Sequence, residues 1–244
     1  NPTPNPNPNP HPNDNPSPSP NPEPETQLRA HIAEIRTIPD PNPNPSPNPN
    51  PNPNPDADPN PRLERYVRGK RALELGSGPG ILGLAVSAGA LGAAPSSITL
   101  TDLAEVVPLL RINVALNAVF GAIGGEETDA SSCVRCGALP WGDADAAHAL
   151  SAAAGGSFDV VLVADCVYDP AGYEPLCATL SHLAAANPKV VILLSYRHRN
   201  PESHRFFEML RGPSGFTVAE LPGLRSAGGA GGGDVRFFDV TLAA

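Results

Sequence analysis

Hydrophobic positions follow two alternating patterns along the chain from Arg62 onward. Short apolar runs of strand length alternate with longer stretches in which apolar residues recur at helical spacing. Repeated units of this kind predict a parallel sheet with helices on both faces. The predicted strands are Arg71–Leu75, Ser97–Thr101, Cys133–Leu139, Phe158–Val163, Lys189–Ser195, Phe216–Leu221 and Val235–Leu242. The predicted helices are Gly80–Leu91, Glu105–Phe120, Tyr173–Ala186 and Pro201–Leu210.

The last two predicted strands differ from the others because a glycine-rich loop, and no helix, lies between them. Two strands joined in this way are expected to pair antiparallel. The run F-D-V-V-L-V at Phe158–Val163 is continuous, as in a strand that is buried on both faces. We therefore predict an α/β fold with a mostly parallel seven-strand sheet and a C-terminal antiparallel hairpin.

The first 61 residues have a different composition from the rest of the chain. They hold 22 of the 32 prolines, mostly in two Asn-Pro tracts, 1–24 and 39–61. Proline removes a backbone donor and disfavours helical geometry in the residue before it, so these tracts cannot build a core. The sequence predicts a disordered low-complexity segment over 1–61 with a short island at 26–38, and one domain over 62–244.

Charge and cysteine content narrow the function classes. The net charge is −9, and residues 1–61 carry two arginines against seven acidic groups. No basic stripe suggests nucleic-acid binding, and no apolar run is long enough to cross a bilayer. Cys133 and Cys136 form a C-x-x-C without a partner pair, so no metal site is predicted. We expect a cytoplasmic protein, working as a monomer.

A glycine-rich turn follows the first predicted strand, in the stretch L-E-L-G-S-G-P-G. In an open α/β sheet a ligand binds over such a turn, beyond the carboxyl ends of the strands. Ile81 stands where a dinucleotide-binding turn has its third glycine, and Pro79 removes an N–H, so a ligand without phosphates is favoured. Glu74 is placed to accept hydrogen bonds from a cationic or hydroxylated ligand. Asp102, at the end of the second strand, is placed to hold ribose hydroxyls.

A second cluster of polar residues follows the fourth predicted strand. The segment A-D-C-V-Y puts Asp165 and Tyr168 at the carboxyl edge of the sheet, facing the expected ligand. Trp141, the only tryptophan, lies in L-P-W-G-D, where its ring can pack against adenine or belong to the core. His198 follows the fifth strand at the same edge, as a proton acceptor or as a solvated loop residue.

Together these segments resemble family 16 of the seven-strand protein lysine methyltransferases. The resemblance rests on L-E-L-G-S-G-P-G, T-D-L-A-E-V, N-V-A-L-N, P-W-G and A-D-C-V-Y, and covers Arg71 to about Leu210. It implies a Rossmann-like class I methyltransferase fold, which commonly closes with an antiparallel hairpin, and S-adenosylmethionine as cofactor. Its greatest similarity is to members that methylate valosin-containing protein and Hsp70-type chaperones, which implies a chaperone or AAA-type ATPase as protein substrate.

The resemblance also implies roles for individual residues. Asp165 and Tyr168 are expected to orient the target lysine as catalytic residues. The residues expected at the cofactor are Glu74, Gly76, Ser77, Gly78, Gly80, Asp102, Trp141 and Ala164.

Two alternatives stay open at this stage. One is a methyltransferase that acts on a small molecule. The other is a chaperone-binding module without catalysis, because Asn-Pro repeat largely replaces the family's tryptophan-bearing helix before the first strand. The predicted loops 121–130, 144–157 and 226–233 are Ala/Gly-rich and do not identify the acceptor.

Overall fold

The fold was analysed in a computed structural model, which describes residues 61–119, 133–198, 201–221 and 235–243. The predicted low-complexity segment up to residue 60, its island at 26–38, and the predicted loops 121–130 and 226–233 lie outside these residues. Within the described part, no helix has the length and apolar character needed to cross a bilayer.

The described chain forms strands and helices in alternation. The strands are β1 (Arg71–Leu75), β2 (Ser97–Asp102), β3 (Val134–Ala138), β4 (Val160–Ala164), β5 (Val191–Arg197), β6 (Phe216–Glu220) and β7 (Val235–Leu242). The helices are α1 (Pro61–Val67), α2 (Ile81–Ser87), α3 (Val107–Val119), α4 (Ala144–Ala153), α5 (Tyr173–Ala186) and α6 (Ser203–Arg211), with a 3-10 turn at Pro170–Gly172.

The seven strands form one sheet in the order β3-β2-β1-β4-β5-β7-β6. Strands β1 to β5 pair parallel, and β7 pairs antiparallel with both β5 and β6. This arrangement confirms the predicted α/β class and the closing antiparallel hairpin. The chain leaves β1 toward β2 and later returns to β4 on the other side, so the strand order reverses between β1 and β4. Open α/β sheets bind ligands at such a reversal.

Each face of the sheet has its own core. In β4, Val161 and Val163 belong to the core covered by α4, α5 and α6, whereas Val160 and Leu162 belong to the core covered by α1, α2 and α3. The alternation confirms that this strand is buried on both faces, because successive side chains of a strand point to opposite sides.

One predicted helix ends earlier than expected, and one predicted loop contains a helix. The helix predicted over Gly80–Leu91 ends at Ser87, since Gly89 and Gly92 both take the left-handed conformation, with φ of 87° and 86°. The stretch 144–157, predicted as a loop, contains helix α4. The Asp143 carboxylate caps that helix by accepting a hydrogen bond from the Ala146 N–H at 2.9 Å, and the alanines that follow favour a helix.

Candidate functional site

The glycine-rich turn connects β1 to α2 and is tied to the end of β2. The Ser77 N–H donates to the Thr101 carbonyl at 2.9 Å, and the Gly78 N–H donates to the Asp102 carboxylate at 2.7 Å. Gly76, Gly78 and Gly80 all have positive φ values, between 53° and 84°. Glycine adopts this conformation without the steric penalty of a side chain, which explains the glycine spacing of the turn.

Gly76 is required for a second reason, the close approach of two side chains. A Cβ atom at this position would lie 3.0 Å from the Cys166 Sγ and 3.1 Å from Cζ2 of Trp141. The other side of the same indole is close to Gly172, where a Cβ atom would lie 3.2 Å from Cζ3. The half-buried Trp141 ring is therefore held between two glycines, directly beside the turn.

Asp102 combines a structural role with free hydrogen-bonding capacity. One carboxylate oxygen accepts from the Gly78 N–H, and the other accepts from the Leu103 N–H, both at 2.7 Å. An ionised carboxylate has about four acceptor positions. The side chain is only partly buried, so Asp102 can still accept hydrogen bonds from a ligand with hydroxyl groups.

Glu74 lies beneath the turn instead of facing the cavity beside it. Its side chain is 2% exposed, and its carboxylate accepts a hydrogen bond from the Gly83 N–H of α2 at 3.1 Å. The pKa of Glu74 is raised to about 7, mainly by burial and also by the charge of Asp102, while the hydrogen bonds from Ser77 and Gly83 oppose the shift. The expected direct contact between Glu74 and a ligand is thus not supported by the direction of this side chain.

Asp165 and Tyr168 lie together in the segment that follows β4. Asp165 has a φ of 57° and is the one non-glycine residue with positive φ in the described part of the chain. Its N–H donates to the Ser195 carbonyl of β5 at 3.1 Å, so the strained residue is fixed to the sheet. Non-glycine residues in this conformation concentrate at functional sites. Tyr168 is 58% exposed, an unusual position for a large aromatic ring.

One cavity of about 390 Å³ joins the turn and the post-β4 segment. Six of the predicted site residues line it, namely Gly76, Gly78, Asp102, Trp141, Asp165 and Tyr168. The lining residues are Gly76, Gly78, Asp102, Leu103, Leu139, Pro140, Trp141, Asp165, Cys166, Tyr168, Gly172 and Pro175. Cavities of this size accommodate small molecules and cofactors.

Three other predicted residues adjoin the cavity without lining it. Ser77 is buried beneath the turn, where its hydroxyl accepts from the Thr101 N–H at 3.1 Å. Gly80 begins the connection into α2 and packs on Leu110. Ala164 pairs with Ser195 at the end of β4. Their contribution is to shape the turn and the strand end.

Cys166 is buried in the core on the α4–α6 face and also lines the cavity. Burial raises the pKa of its thiol to about 12, and the nearby charges of Glu74, Asp102 and Asp165 add to the increase. The thiol therefore stays protonated near neutral pH and is a poor nucleophile. Its place within A-D-C-V-Y, directly after Asp165, was the available signal for a position on the cavity.

His198 belongs to a different cluster of side chains, away from the glycine-rich turn. Its Nδ1 is 2.8 Å from the Tyr196 hydroxyl and 3.2 Å from Ser203 Oγ. These residues line a separate cavity of about 280 Å³ between β5, β7 and α6. The structure does not bring His198 onto the wall of the cavity beside the glycine turn.

The cysteines of the C-x-x-C pack as structural residues. Cys136 is buried in the core on the α1–α3 face, and the half-buried Cys133 packs against the same cluster. Among the described residues, no group of three or more His, Cys, Asp or Glu side chains is arranged to hold a metal ion.

Comparison with known families gives one match over most of the described domain. The sequence model of the lysine methyltransferase family matches residues 60–212, which is more than half of the chain. The matched region includes the glycine turn, Asp102, Trp141 and the post-β4 segment.

Curated relatives are about a third identical to this chain over the aligned residues. The protein N-lysine methyltransferase METTL21A of Danio rerio is 33% identical over 155 residues, which are 64% of this chain and 61% of that protein. The protein-lysine N-methyltransferase EFM6 of Saccharomyces cerevisiae is 31% identical over 159 residues, which are 62% of this chain and 58% of that protein. The chain thus spans about three fifths of the length of these relatives.

A solved structure shows a more distant likeness. The magnesium protoporphyrin IX methyltransferase of Synechocystis PCC 6803, with bound SAM, aligns with 90% of this chain and 79% of its own. Its sequence identity is 13% and the TM-score is 0.47, a similarity too low to carry an argument about function.

Proposed function

This chain belongs to the lysine methyltransferase family, and from that membership we propose that it transfers a methyl group from S-adenosylmethionine to a lysine side chain of a protein. One observation carries the proposal. The glycine turn with Asp102 and the strained Asp165 with the exposed Tyr168 share a single cavity, so a cofactor and an acceptor can meet there.

The residues beside the turn fit the nucleoside part of S-adenosylmethionine. Gly76 leaves open a space that a Cβ atom would fill, next to the flat ring of Trp141. Asp102 has acceptor capacity for the two ribose hydroxyls, and no phosphate-binding group is needed because this cofactor has none. In the proposed complex Trp141 contacts the adenine and Asp102 holds the ribose. Gly76 and Gly78 form part of the wall, and Glu74 supports the turn from below. The residues that shape the turn and the strand end behind the wall are Ser77, Gly80 and Ala164.

The acceptor end of the cavity is suited to a lysine side chain. When bound, S-adenosylmethionine supplies a methyl group on a positively charged sulfur, which an amine displaces in line. A lysine in water has a pKa of about 10.4, so its reactive neutral form is scarce near pH 7. Asp165 attracts the incoming ammonium, and the exposed Tyr168 ring covers the apolar stem of the lysine. Partial burial then favours the neutral amine, and water carries the proton away.

The protonated Cys166 protects the site from a competing reaction. Its Sγ lies beside the position where a Cβ of Gly76 would be, and a thiolate there would compete with the amine for the methyl group. Because the pKa of this thiol is about 12, the competing nucleophile is almost absent at neutral pH. Burial of the thiol, with a further contribution from the charges of Asp102 and Asp165, therefore suppresses methylation of the enzyme's own cysteine.

For the partner, we propose a chaperone or an AAA-type ATPase, supported by the motif resemblance described above. We also propose that the protein works as a monomer. The buried Cys166 and Cys177 are free thiols, as expected in the reducing cytoplasm.

The first experiment is calorimetry of the purified chain with S-adenosylmethionine, with NAD as the control ligand. We expect micromolar binding of S-adenosylmethionine alone. Labelled S-adenosylmethionine added to lysate proteins is then expected to give label on protein lysines. Label in small molecules only would establish the small-molecule alternative, and binding without any transfer would establish the non-catalytic one. Wild-type turnover in both Asp165→Asn and Tyr168→Phe would contradict the proposed acceptor site.

A further inference from the structure

The chain has only two lysines, Lys70 and Lys189, and both line the same cavity. This cavity, of about 400 Å³, lies at the edge of the sheet where the parallel strands begin, opposite the edge that carries the glycine turn. It also includes Arg65, Tyr66 and Asp159. We name this group of residues the basic pocket.

Strand order brings the two lysines together. Lys70 directly precedes β1, and Lys189 lies two residues before β5, while Asp159 directly precedes the intervening strand β4. Neighbouring strands are about 4.8 Å apart, so the two lysine backbones are separated by about 10 Å. Side chains on the same face of an extended chain are two or four residues apart, about 7 or 13 Å, and the long lysine side chains can reach either spacing.

The positive charge of the basic pocket is only partly compensated. Neither lysine amino group forms an ion pair within the described part of the chain. The Asp159 carboxylate accepts a hydrogen bond from the backbone N–H of Arg71 at 2.9 Å. The Arg71 guanidinium donates to the carbonyls of Ser157 and Gly155, which carry no net charge. Three cationic side chains thus line the pocket against one carboxylate, in a chain of net charge −9.

Contacts within the chain hold part of the basic pocket in place. The Arg65 guanidinium lies over the Tyr66 ring, 4.8 Å from its centroid, and donates to the Tyr66 hydroxyl at 2.9 Å. That hydroxyl in turn donates to the Asp239 carboxylate of β7 at 2.7 Å. A cation held in this way loses less conformational freedom on binding than a free side chain does.

We propose that the basic pocket is a docking surface for an extended acidic segment of the protein substrate, with two carboxylates on the same face, two or four residues apart, on Lys70 and Lys189. The identity of the partner rests on the proposed function, whereas the binding itself does not. Along the strands, the basic pocket is about 20 Å from the glycine turn, since Gly76 lies six positions after Lys70. It therefore selects a remote part of a folded substrate and does not compete with the target lysine.

The test uses a fluorescein-labelled peptide of ten glutamates and the full chain, with binding followed by fluorescence anisotropy. We expect binding that weakens several-fold between 50 and 300 mM salt, roughly as for other exposed charge pairs. The double variant Lys70→Gln/Lys189→Gln is expected to bind about tenfold more weakly. Lys70→Arg/Lys189→Arg keeps the charges and is expected to retain most of the affinity. The control Arg205→Glu removes the same amount of charge on α6, away from the pocket, and is expected to bind like the wild type.

Equal binding by the wild type and the glutamine variant, or no binding by either, would overturn the proposal. Stronger binding of polyuridylate than of the glutamate peptide would also overturn it, because the pocket would then prefer phosphates. S-adenosylmethionine calorimetry on the same preparations separates the two hypotheses. Binding of the cofactor without binding of the peptide would contradict only the docking surface. Binding of the peptide without binding of the cofactor would contradict only the proposed function.

Discussion

The carboxylate of Glu74 accepts a hydrogen bond from the backbone N–H of Gly83, at 3.1 Å, beneath the turn that follows β1. This contact joins the end of β1 to helix α2, and the carbonyl of Glu74 also accepts from the Thr101 hydroxyl of β2 at 2.6 Å. The side chain is nearly inaccessible to water, and burial raises its pKa to about 7. The ionisation of Glu74 is therefore linked to the stability of the fold.

Glu74→Gln is expected to flatten the pH dependence of stability. The pKa of Glu74 is raised from 4.5 to about 7 on folding, so its protonated form stabilises the folded state. That contribution is complete below about pH 4.5 and is lost as the pH rises through 7, with an amplitude of about 3 kcal/mol at most. Glutamine keeps an acceptor for the Gly83 N–H and does not ionise. Urea unfolding between pH 5 and 8 measures the difference.

The control for this experiment is the exposed carboxylate of Glu208. Glu208→Gln is expected to follow the wild-type pH profile, because this side chain lies at the surface of α6 and its replacement leaves the buried groups unchanged. A Glu74→Gln profile parallel to that of the wild type would show that Glu74 is already ionised in the folded protein.

The face of the sheet to which the Glu74 side chain points illustrates which features could be predicted from the sequence. The strand itself was predicted with the observed bounds, Arg71–Leu75, because its apolar run and the following glycines are strong local signals. Leu73 and Leu75 enter the core on the α4–α6 face. Glu74 lies between them and must point to the opposite face, under α2. Strand alternation therefore contained the information, but the expected ligand contact was assigned from position along the chain alone.

Gly76→Ala is expected to damage the fold and the cavity together. Alanine is strained at a φ of 61°, and its Cβ would displace the Cys166 thiol or the Trp141 ring. The strain and the overpacking together predict a loss of about 2–4 kcal/mol in unfolding free energy and weaker S-adenosylmethionine binding.

Gly215→Ala is the matched control, with a φ of 67° and no atom within 4 Å of the added Cβ. It should lose about 1 kcal/mol and keep its affinity. Calorimetry and urea unfolding measure both effects, and equal losses in the two variants would contradict the close-approach argument.

Trp141 offers a direct optical test of the cofactor site. It is the only tryptophan, so a change in indole emission on adding S-adenosylmethionine reports on this ring alone. We expect a saturable change, reproduced in part by adenosine and not by methionine. Trp141→Leu is expected to weaken binding by about tenfold or more, as when an aromatic ring under a base is removed. Unchanged emission at saturating cofactor, with calorimetry confirming binding, would place the adenine elsewhere.

Features that depend on distant parts of the chain could not be predicted in the same way. Trp141 and Gly172 are brought together by the packing of α5 beside the segment after β3, and no local pattern encodes that contact. The same holds for Lys70 and Lys189, which meet only because β1, β4 and β5 are neighbours. Helix α4 was missed for a different reason. Its alanines give no apolar periodicity, although Asp143 was a visible capping signal.

Three substitutions at Asp165 separate its backbone geometry from its chemistry. Its φ of 57° is tolerated best by glycine and asparagine. Asp165→Ala is therefore expected to lose about 1 kcal/mol of unfolding free energy, whereas Asp165→Gly and Asp165→Asn should stay within about 0.5 kcal/mol of the wild type. If the carboxylate orients the lysine amine, all three variants lose turnover. The asparagine variant, which keeps the shape and loses the charge, is expected to fall about 100-fold in kcat.

The binding of S-adenosylmethionine provides the internal control for these variants. Asp165 lines the acceptor side of the proposed site, so the Kd measured by calorimetry should change less than about threefold in Asp165→Asn, because the contacts at Gly76, Asp102 and Trp141 remain. A loss of kcat at constant Kd then assigns the carboxylate to the transfer step. Wild-type kcat in Asp165→Asn, with low kcat only in Asp165→Ala, would show instead that the position is needed for its left-handed backbone. Tyr168 would then be left as the remaining candidate for orienting the amine.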